Sequence, residues 1–232
     1  MPTVATPIEH TRAAAMRDAL AALMVRSKRE IPHYYLATDV DFSRARSWLD
    51  ETNATRPVTE RLLPVVLLVK AVAVAARAHP EVNGAWVDDA FVPAPEVNVG
   101  VAISLRGGGL IAPALAGVDE KPLVQVATEL RDLVNRTRNG RLRAAEMSGP
   151  TITVTNLGDQ GVDRVFGVIY PPQVAIVGVG RITERPWAKD GMVGAHPVVT
   201  LSLSGDHRVS DGHRGGLFLA HVDRLLQAPE QL

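Results

Sequence analysis

The sequence predicts a single α/β domain of the α+β two-layer sandwich type, with helices laid against a sheet. Three observations predict it. Strand-like and helix-like segments are interleaved along the chain without the strict alternation of a dinucleotide-binding fold. Residues 122–138 carry an unbroken amphipathic helix pattern, with Leu123, Val126, Ala127, Leu130, Leu133 and Val134 on one stripe. Residues 151–155, 174–180 and 197–204 are short apolar, β-branched runs of strand length. With 232 residues, 46% of them hydrophobic, the chain is long enough for one substantial core. No repeat or linker divides it. Residues 12–232 are therefore read as one domain behind a flexible lead-in at residues 1–11, which holds two prolines.

The elements follow in order. A first helix places Met16, Leu20, Leu23 and Met24 on one face. Pro32 forces an exit, and residues 33–40 read as a strand rich in tyrosine and branched side chains. A short helix at 43–49 would turn Phe42, Ala45, Trp48 and Leu49 inward. Residues 59–77 read as a helix apolar all round, hence buried, with Pro64 suited to its first turns. Residues 97–105 and 110–115 read as strands around a glycine turn at 107–109. The amphipathic helix at 122–138 ends at Asn139-Gly140. After the three strands already named, a last helix begins near Asp211 and carries Phe218, Val222, Leu225 and Leu226 inward.

Composition excludes several functions. The formal net charge is zero, 25 basic residues against 25 acidic, so no nucleic-acid footprint is visible at the level of the chain. There is no cysteine, so any nucleophilic sulfur must arrive on a substrate. The N-terminus lacks the apolar stretch of a secretory signal. The most hydrophobic run, residues 62–78, contains Pro64 and Lys70 and falls short of a membrane span. The expectation is a cytoplasmic protein with no membrane partner.

Two segments carry chemistry. In Gly205-Asp206-His207-Arg208-Val209-Ser210-Asp211-Gly212, a strand passes into a helix, and His207 is suited to take a proton from a substrate hydroxyl or thiol. Asp211 would hold the loop by pairing with a cation. The plain alternative is a polar loop whose histidine satisfies a backbone carbonyl. In Thr151-Ile152-Thr153-Val154-Thr155-Asn156-Leu157-Gly158, a hydroxyl at the strand end would donate to an oxyanion. The alternative is that threonine is simply a good strand residue and Asn-x-Gly a good turn. A metal site at His207, Asp211 and His213 lacks a further clear ligand, and the other histidines, His33 and His196 among them, read as surface or packing residues. Gly107-Gly108-Gly109 has no following Lys-Ser/Thr and reads as a turn rather than a phosphate loop. The basic cluster Arg131, Arg136, Arg138, Arg141 and Arg143 reads as a solvated helix face, with phosphate binding as the alternative.

Taken in order, six motifs resemble one family. They are Ser27-Lys28-x-x-Ile31-Pro32-His33, Asn98-x-Gly100-x-Ala102, Gly109-Leu110-Ile111-x-Pro113, the run Thr151–Gly158, Pro171-Pro172-Gln173-Val174-Ala175-Ile176, and Asp206-His207-Arg208-x-x-Asp211-Gly212. The family is the catalytic domain of dihydrolipoyl acyltransferases, the core components of 2-oxoacid dehydrogenase complexes. The resemblance implies a chloramphenicol-acetyltransferase-like fold and a homotrimer with active sites between subunits, built in some relatives into a larger core. It implies acyl transfer between a dihydrolipoyl thiol and coenzyme A. His207 would be the catalytic base, Asp211 the loop-orienting aspartate, and Thr155 the oxyanion donor. Asn156, Gly180, Ile182, Ser104 and Arg61 would contact coenzyme A. Arg17 opens the first family helix, and a pairing of Arg17 with Asp211 is expected.

Departures qualify the resemblance. No lipoyl-bearing hairpin precedes the catalytic motifs, so the lipoyl group would be supplied in trans by a lipoyl domain of another polypeptide. The C-terminal residues 228–232 are fairly polar, which favours an isolated trimer over a large shell. Two alternatives stay open: a stand-alone O-acetyltransferase of the same fold, against which Asp206 speaks because that group shows His-His at the motif, and a non-catalytic trimeric scaffold.

Overall fold

The computed structural model of the protein describes residues 7–105 and 109–232, with side chains from residue 14 onward except that of residue 16. The expected lead-in at 1–6, the Met16 side chain and the turn at Gly107-Gly108 lie outside the described residues. Helix α1 (Pro7–Glu30) already covers the second half of the expected lead-in. Strand β1 (His33–Asp41), helix α2 (Ser43–Asn53) and helix α3 (Pro64–Ala78) follow. Then come β2 (Gly84–Val87), β3 (Ala90–Pro93), β4 (Val99–Val101), β5 (Ile103–Ser104), β6 (Leu110–Ile111) and β7 (Ala114–Leu115). Helices α4 (Leu123–Arg138) and α5 (Ala144–Ser148) lead into β8 (Ile152–Asn156) and β9 (Ala175–Val179). The chain closes with β10 (Thr183–Lys189), β11 (Met192–Asp206) and α6 (Gly212–Gln227).

The main sheet runs β1-β11-β9-β8-β4-β7, with β10 paired to the first half of β11. β8 is parallel to β4 and β9, and the other pairs are antiparallel. The sheet faces differ as the pleat requires. Val199, Leu201 and Leu203 of β11, Val177 and Val179 of β9, and Ile152 and Val154 of β8 enter one core with α3, α4 and α6. Thr200, Ser202 and Ser204, Ile176 and Gly178, and Thr153 and Thr155 alternate with them and face the other way. Residues 157–173 cover that second face. Ser202 Oγ donates to the Val165 carbonyl, and Ile169 packs with Ile31 and Ile176 in a small apolar cluster.

Several boundaries differ from the expectation for identifiable reasons. α3 begins at Pro64, not Thr59, because the residue before a proline is driven out of the helical region; Leu63 sits extended at φ −92°, ψ 151°, and residues 58–60 form a separate 3₁₀ turn. The expected strand 97–105 divides at Ala102, since β4 pairs in the main sheet and β5 leaves to pair with β6. Pro113, with no amide to give a ladder, divides the 110–115 strand. Two hairpins were not read from sequence. β2–β3 turns at Asp88-Asp89, both at positive φ (49° and 58°), and β10–β11 turns at Asp190-Gly191 (53° and 77°). The second had a strong type I′ signal in Asp-Gly; Asp-Asp in the first is a weaker one.

Lys70 lies inside α3, 5% exposed. Its ammonium donates to the carbonyls of Val118, Asp119 and Lys121 at 3.1, 2.7 and 2.8 Å, which uses all three donors and pins that loop to the helix. Burial pushes the group below the ordinary lysine range. No described helix is long and apolar enough to cross a membrane.

Candidate active site

Strand β11 ends at Asp206, which is fully buried. Its carboxylate grips Arg208 with both oxygens, Nε at 3.0 and 3.1 Å and an Nη at 2.6 Å, and also accepts from the Arg208 amide at 3.0 Å. The Arg208 guanidinium lies 4.4 Å from the Trp86 ring centroid on the β2–β3 hairpin. Between these two anchored residues His207 is exposed, its backbone amide donating to the Pro32 carbonyl at 2.9 Å. Its ring meets Tyr34 edge-on, centroids 5.6 Å apart at 79°, and makes no hydrogen bond with the described residues. An exposed imidazole without a partner is free to accept a proton.

Asp211 caps α6. Its Oδ1 accepts from the Arg214 amide at 3.0 Å, and the backbone N–H groups at the helix start hold the carboxyl below the usual range. The expected partner was a cation, with Arg17 as the candidate. Arg17 is exposed on α1, and no ion pair joins it to Asp211 among the described residues. The helix start offers Asp211 an amide in the geometry a cap needs.

Thr155, 9% exposed, ends the polar face of β8, and its hydroxyl has no hydrogen-bond partner among the described residues. Asn156 forms a tight turn, Oδ1 accepting from the Gly158 amide at 2.8 Å. Beyond it opens a cavity of about 800 Å³, bounded by the start of α3, one face of α4, β5 and the ends of β8 and β9. Arg61, Ser104, Asn156, Gly180 and Ile182 all line it. Gly180 has a second constraint. A Cβ there would sit 1.9 Å from the Asp163 carbonyl oxygen, so residues 157–173 can cross the sheet only over a glycine.

The same cavity sorts the basic cluster. Arg136 is held by Asp132 and Glu146, both at 2.7 Å. Arg131 and Arg138, with Ala127, Leu130, Val134 and Asn135, line the cavity, as does Arg181. Positions 127, 130, 131, 134, 135 and 138 form one helix face, a pattern legible in the sequence. A smaller cavity of about 290 Å³ beside Arg77 and Glu96 collects none of the predicted site residues. No metal-holding cluster occurs among the described residues.

One predicted group does not assemble within a chain. Thr155 pairs with Gly178, and Gly178 with Ser202. Because β11 runs against β8 and β9, His207 lies at the opposite end of the strands from Asn156 and Gly180. At ordinary strand spacing and rise, Thr155 and His207 are roughly 15–20 Å apart. A general base and an oxyanion donor must both lie within about 3 Å of the groups they serve.

Comparison with known proteins adds the following. The family model for the 2-oxoacid dehydrogenases acyltransferase (catalytic domain) matches residues 6–232. A dihydrolipoyllysine-residue acetyltransferase component of a pyruvate dehydrogenase complex from Staphylococcus aureus is 38% identical over 223 residues, covering 94% of this chain and 51% of that protein. The chain thus spans about half the length of the curated relatives it matches. A solved structure of a probable dihydrolipoamide acetyltransferase from Listeria monocytogenes superposes with a TM-score of 0.85 at 31% identity, covering 98% of this chain and 94% of the other. The Azotobacter vinelandii dihydrolipoamide acetyltransferase gives 0.87 at 26%, covering 100% and 93%. A chloramphenicol acetyltransferase, 14% identical with a TM-score of 0.59, shares the fold.

Proposed function

Because the chain belongs to the 2-oxoacid dehydrogenase acyltransferase (catalytic domain) family, we propose that it moves an acyl group between the thiol of coenzyme A and the thiol of a dihydrolipoyl group. The observation that supports this most is the convergence of Arg61, Ser104, Asn156, Gly180 and Ile182 on one cavity. Coenzyme A fits that lining in kind. Arg61, Arg131 and Arg138 supply guanidinium groups for phosphates, and Val66, Leu130 and Val179 supply apolar wall for an aliphatic arm. The curated relatives are named as acetyltransferase components, so acetyl is the acyl group proposed.

In the forward step the acceptor is a thiol and the donor a thioester. His207 takes the thiol proton, and the thiolate attacks the thioester carbonyl carbon. The Thr155 hydroxyl donates to the oxyanion that forms. Collapse expels the other sulfur, which recovers the proton from His207. No enzyme thiol is needed, in keeping with a chain that has no cysteine. The separation of His207 from Thr155 favours a site completed by a second copy, and we read the assembly as a homotrimer, a unit from which larger cores are built. The dihydrolipoyl group arrives on a lipoyl domain, in the cytoplasm.

The test is acyl transfer from acetyl-, succinyl- and isobutyryl-CoA to dihydrolipoamide, wild type against His207→Ala. Loss of the base should lower the rate by about 10²–10⁴. Turnover with a donor that survives the substitution would remove His207 from its role. No turnover with any donor would sink the proposed reaction. Equilibrium sedimentation of the same sample should give three copies.

A further inference from the structure

His207 projects from a loop with no hydrogen bond to hold its ring among the described residues, yet a general base must present one nitrogen in one direction. Among the described residues, the only aromatic ring set against it is Tyr34 of β1, edge-on at 5.6 Å. Tyr34 is itself fixed. Its hydroxyl is 2.8 Å from Ser210 Oγ, inside the same 206–211 loop. Two glycines make its slot: a Cβ on Gly205 would lie 2.5 Å from the tyrosine Cε1, and one on Gly215 would lie 2.8 Å from the hydroxyl oxygen. One side chain thus touches the loop at both ends, with its ring against His207 and its hydroxyl against Ser210.

We infer that Tyr34, anchored through Ser210, is a positioning residue that holds the His207 imidazole in its reactive orientation. This rests on the reading of His207 as the base. Tyr34 does not touch the reacting atoms, so its effect should pass entirely through His207.

The experiment uses the full chain. Tyr34→Leu removes the ring edge and should lower kcat about ten- to a hundredfold with KM for acetyl-CoA and dihydrolipoamide unchanged, the scale of a small misplacement of a catalytic group. Tyr34→Phe and Ser210→Ala each break the same bond but keep the ring. Each should cost about two- to tenfold, and the double variant no more than either. In a His207→Ala background Tyr34→Leu should cost nothing further. Relaxation of the His207 ring ¹³Cε1, measured by NMR, should show a more mobile imidazole in Tyr34→Leu. Loss through KM rather than kcat, an equal loss in the His207→Ala background, or unchanged ring mobility would each overturn the positioning role. Full activity in His207→Ala alone would instead sink the reading of the base, and the ring relaxation still decides whether Tyr34 orients it.

Discussion

The backbone amide of Ile169 donates to Nε2 of His33 at 3.2 Å, across 136 residues of sequence. The Nδ1 of the same ring meets the Ile31 carbonyl at 2.9 Å. Nε2 must therefore carry the lone pair and Nδ1 the proton, which makes His33 a neutral imidazole of one tautomer. Ser27 Oγ donates to the Ile169 carbonyl at 2.6 Å, so both backbone groups of Ile169 are held by the Ser27–His33 stretch. This pair of contacts fastens residues 157–173 over the polar face of the sheet.

The His33 pKa lies below its ordinary 6.5, burial being the main cause. The unfolded chain then binds the proton more readily than the folded one. Stability from His33 is complete above about pH 6.5 and is lost as pH falls from there through the lower folded value. Urea unfolding between pH 8 and pH 5 should show this fall, and His33→Leu should flatten it. At pH 8 the variant should be less stable by about 1–2 kcal/mol, since it leaves the Ile169 amide unpaired. An equal pH slope in both proteins would refute the assignment.

Gly180→Ala should be strongly destabilising, by about 2–4 kcal/mol, because its methyl group meets backbone at 1.9 Å rather than a flexible side chain. Gly216→Ala, in α6 with nothing within 4 Å, should be neutral or stabilising by up to about 1 kcal/mol. Thermal unfolding of the two variants side by side checks the contrast.

Asp211→Asn should keep the α6 cap and Asp211→Ala should lose it, since asparagine also accepts from a helix amide. The folded carboxyl titrates below its ordinary value, so its contribution is present above the unfolded value and disappears as pH falls through the folded one. Circular dichroism melts should rank wild type and Asn together above Ala at pH 7. Charge reversal at Arg17 should leave both melting and activity unchanged.

Arg131→Glu and Arg138→Glu should raise KM for acetyl-CoA about tenfold each with little change in kcat, because they line the cavity and lie away from His207. The effect should shrink as salt rises. Steady-state kinetics at low and high ionic strength tests both statements, and a fall confined to kcat would contradict them.

The residues themselves determined most of the helices and strands that depend on near neighbours in the chain, although the local β2–β3 and β10–β11 hairpins were not read from them. The stripe 123–134 selects the α4 face, the run 33–40 selects β1, and Asp211 announces the start of α6. The family motifs carried Arg61, Ser104, Asn156, Gly180 and Ile182 to positions that share one cavity. Periodicity and capping repeat over a few residues, so such features are visible without a fold. What the tertiary structure decided depends on sheet order and on pairings between distant residues. Lys70 is a charge in an otherwise apolar helix, and only the fold brings three carbonyls from 118–121 around its ammonium. Gly180 was read as a cofactor contact, while the reason it must be glycine is the carbonyl of Asp163. His33 read as a packing residue and proved to hold a loop 136 positions away. Thr155 and His207 stand in two of the six motifs, and the register Thr155–Gly178–Ser202 puts them at opposite ends of the strands. No local pattern encodes that separation, because strand order is set by which apolar faces bury together across the chain.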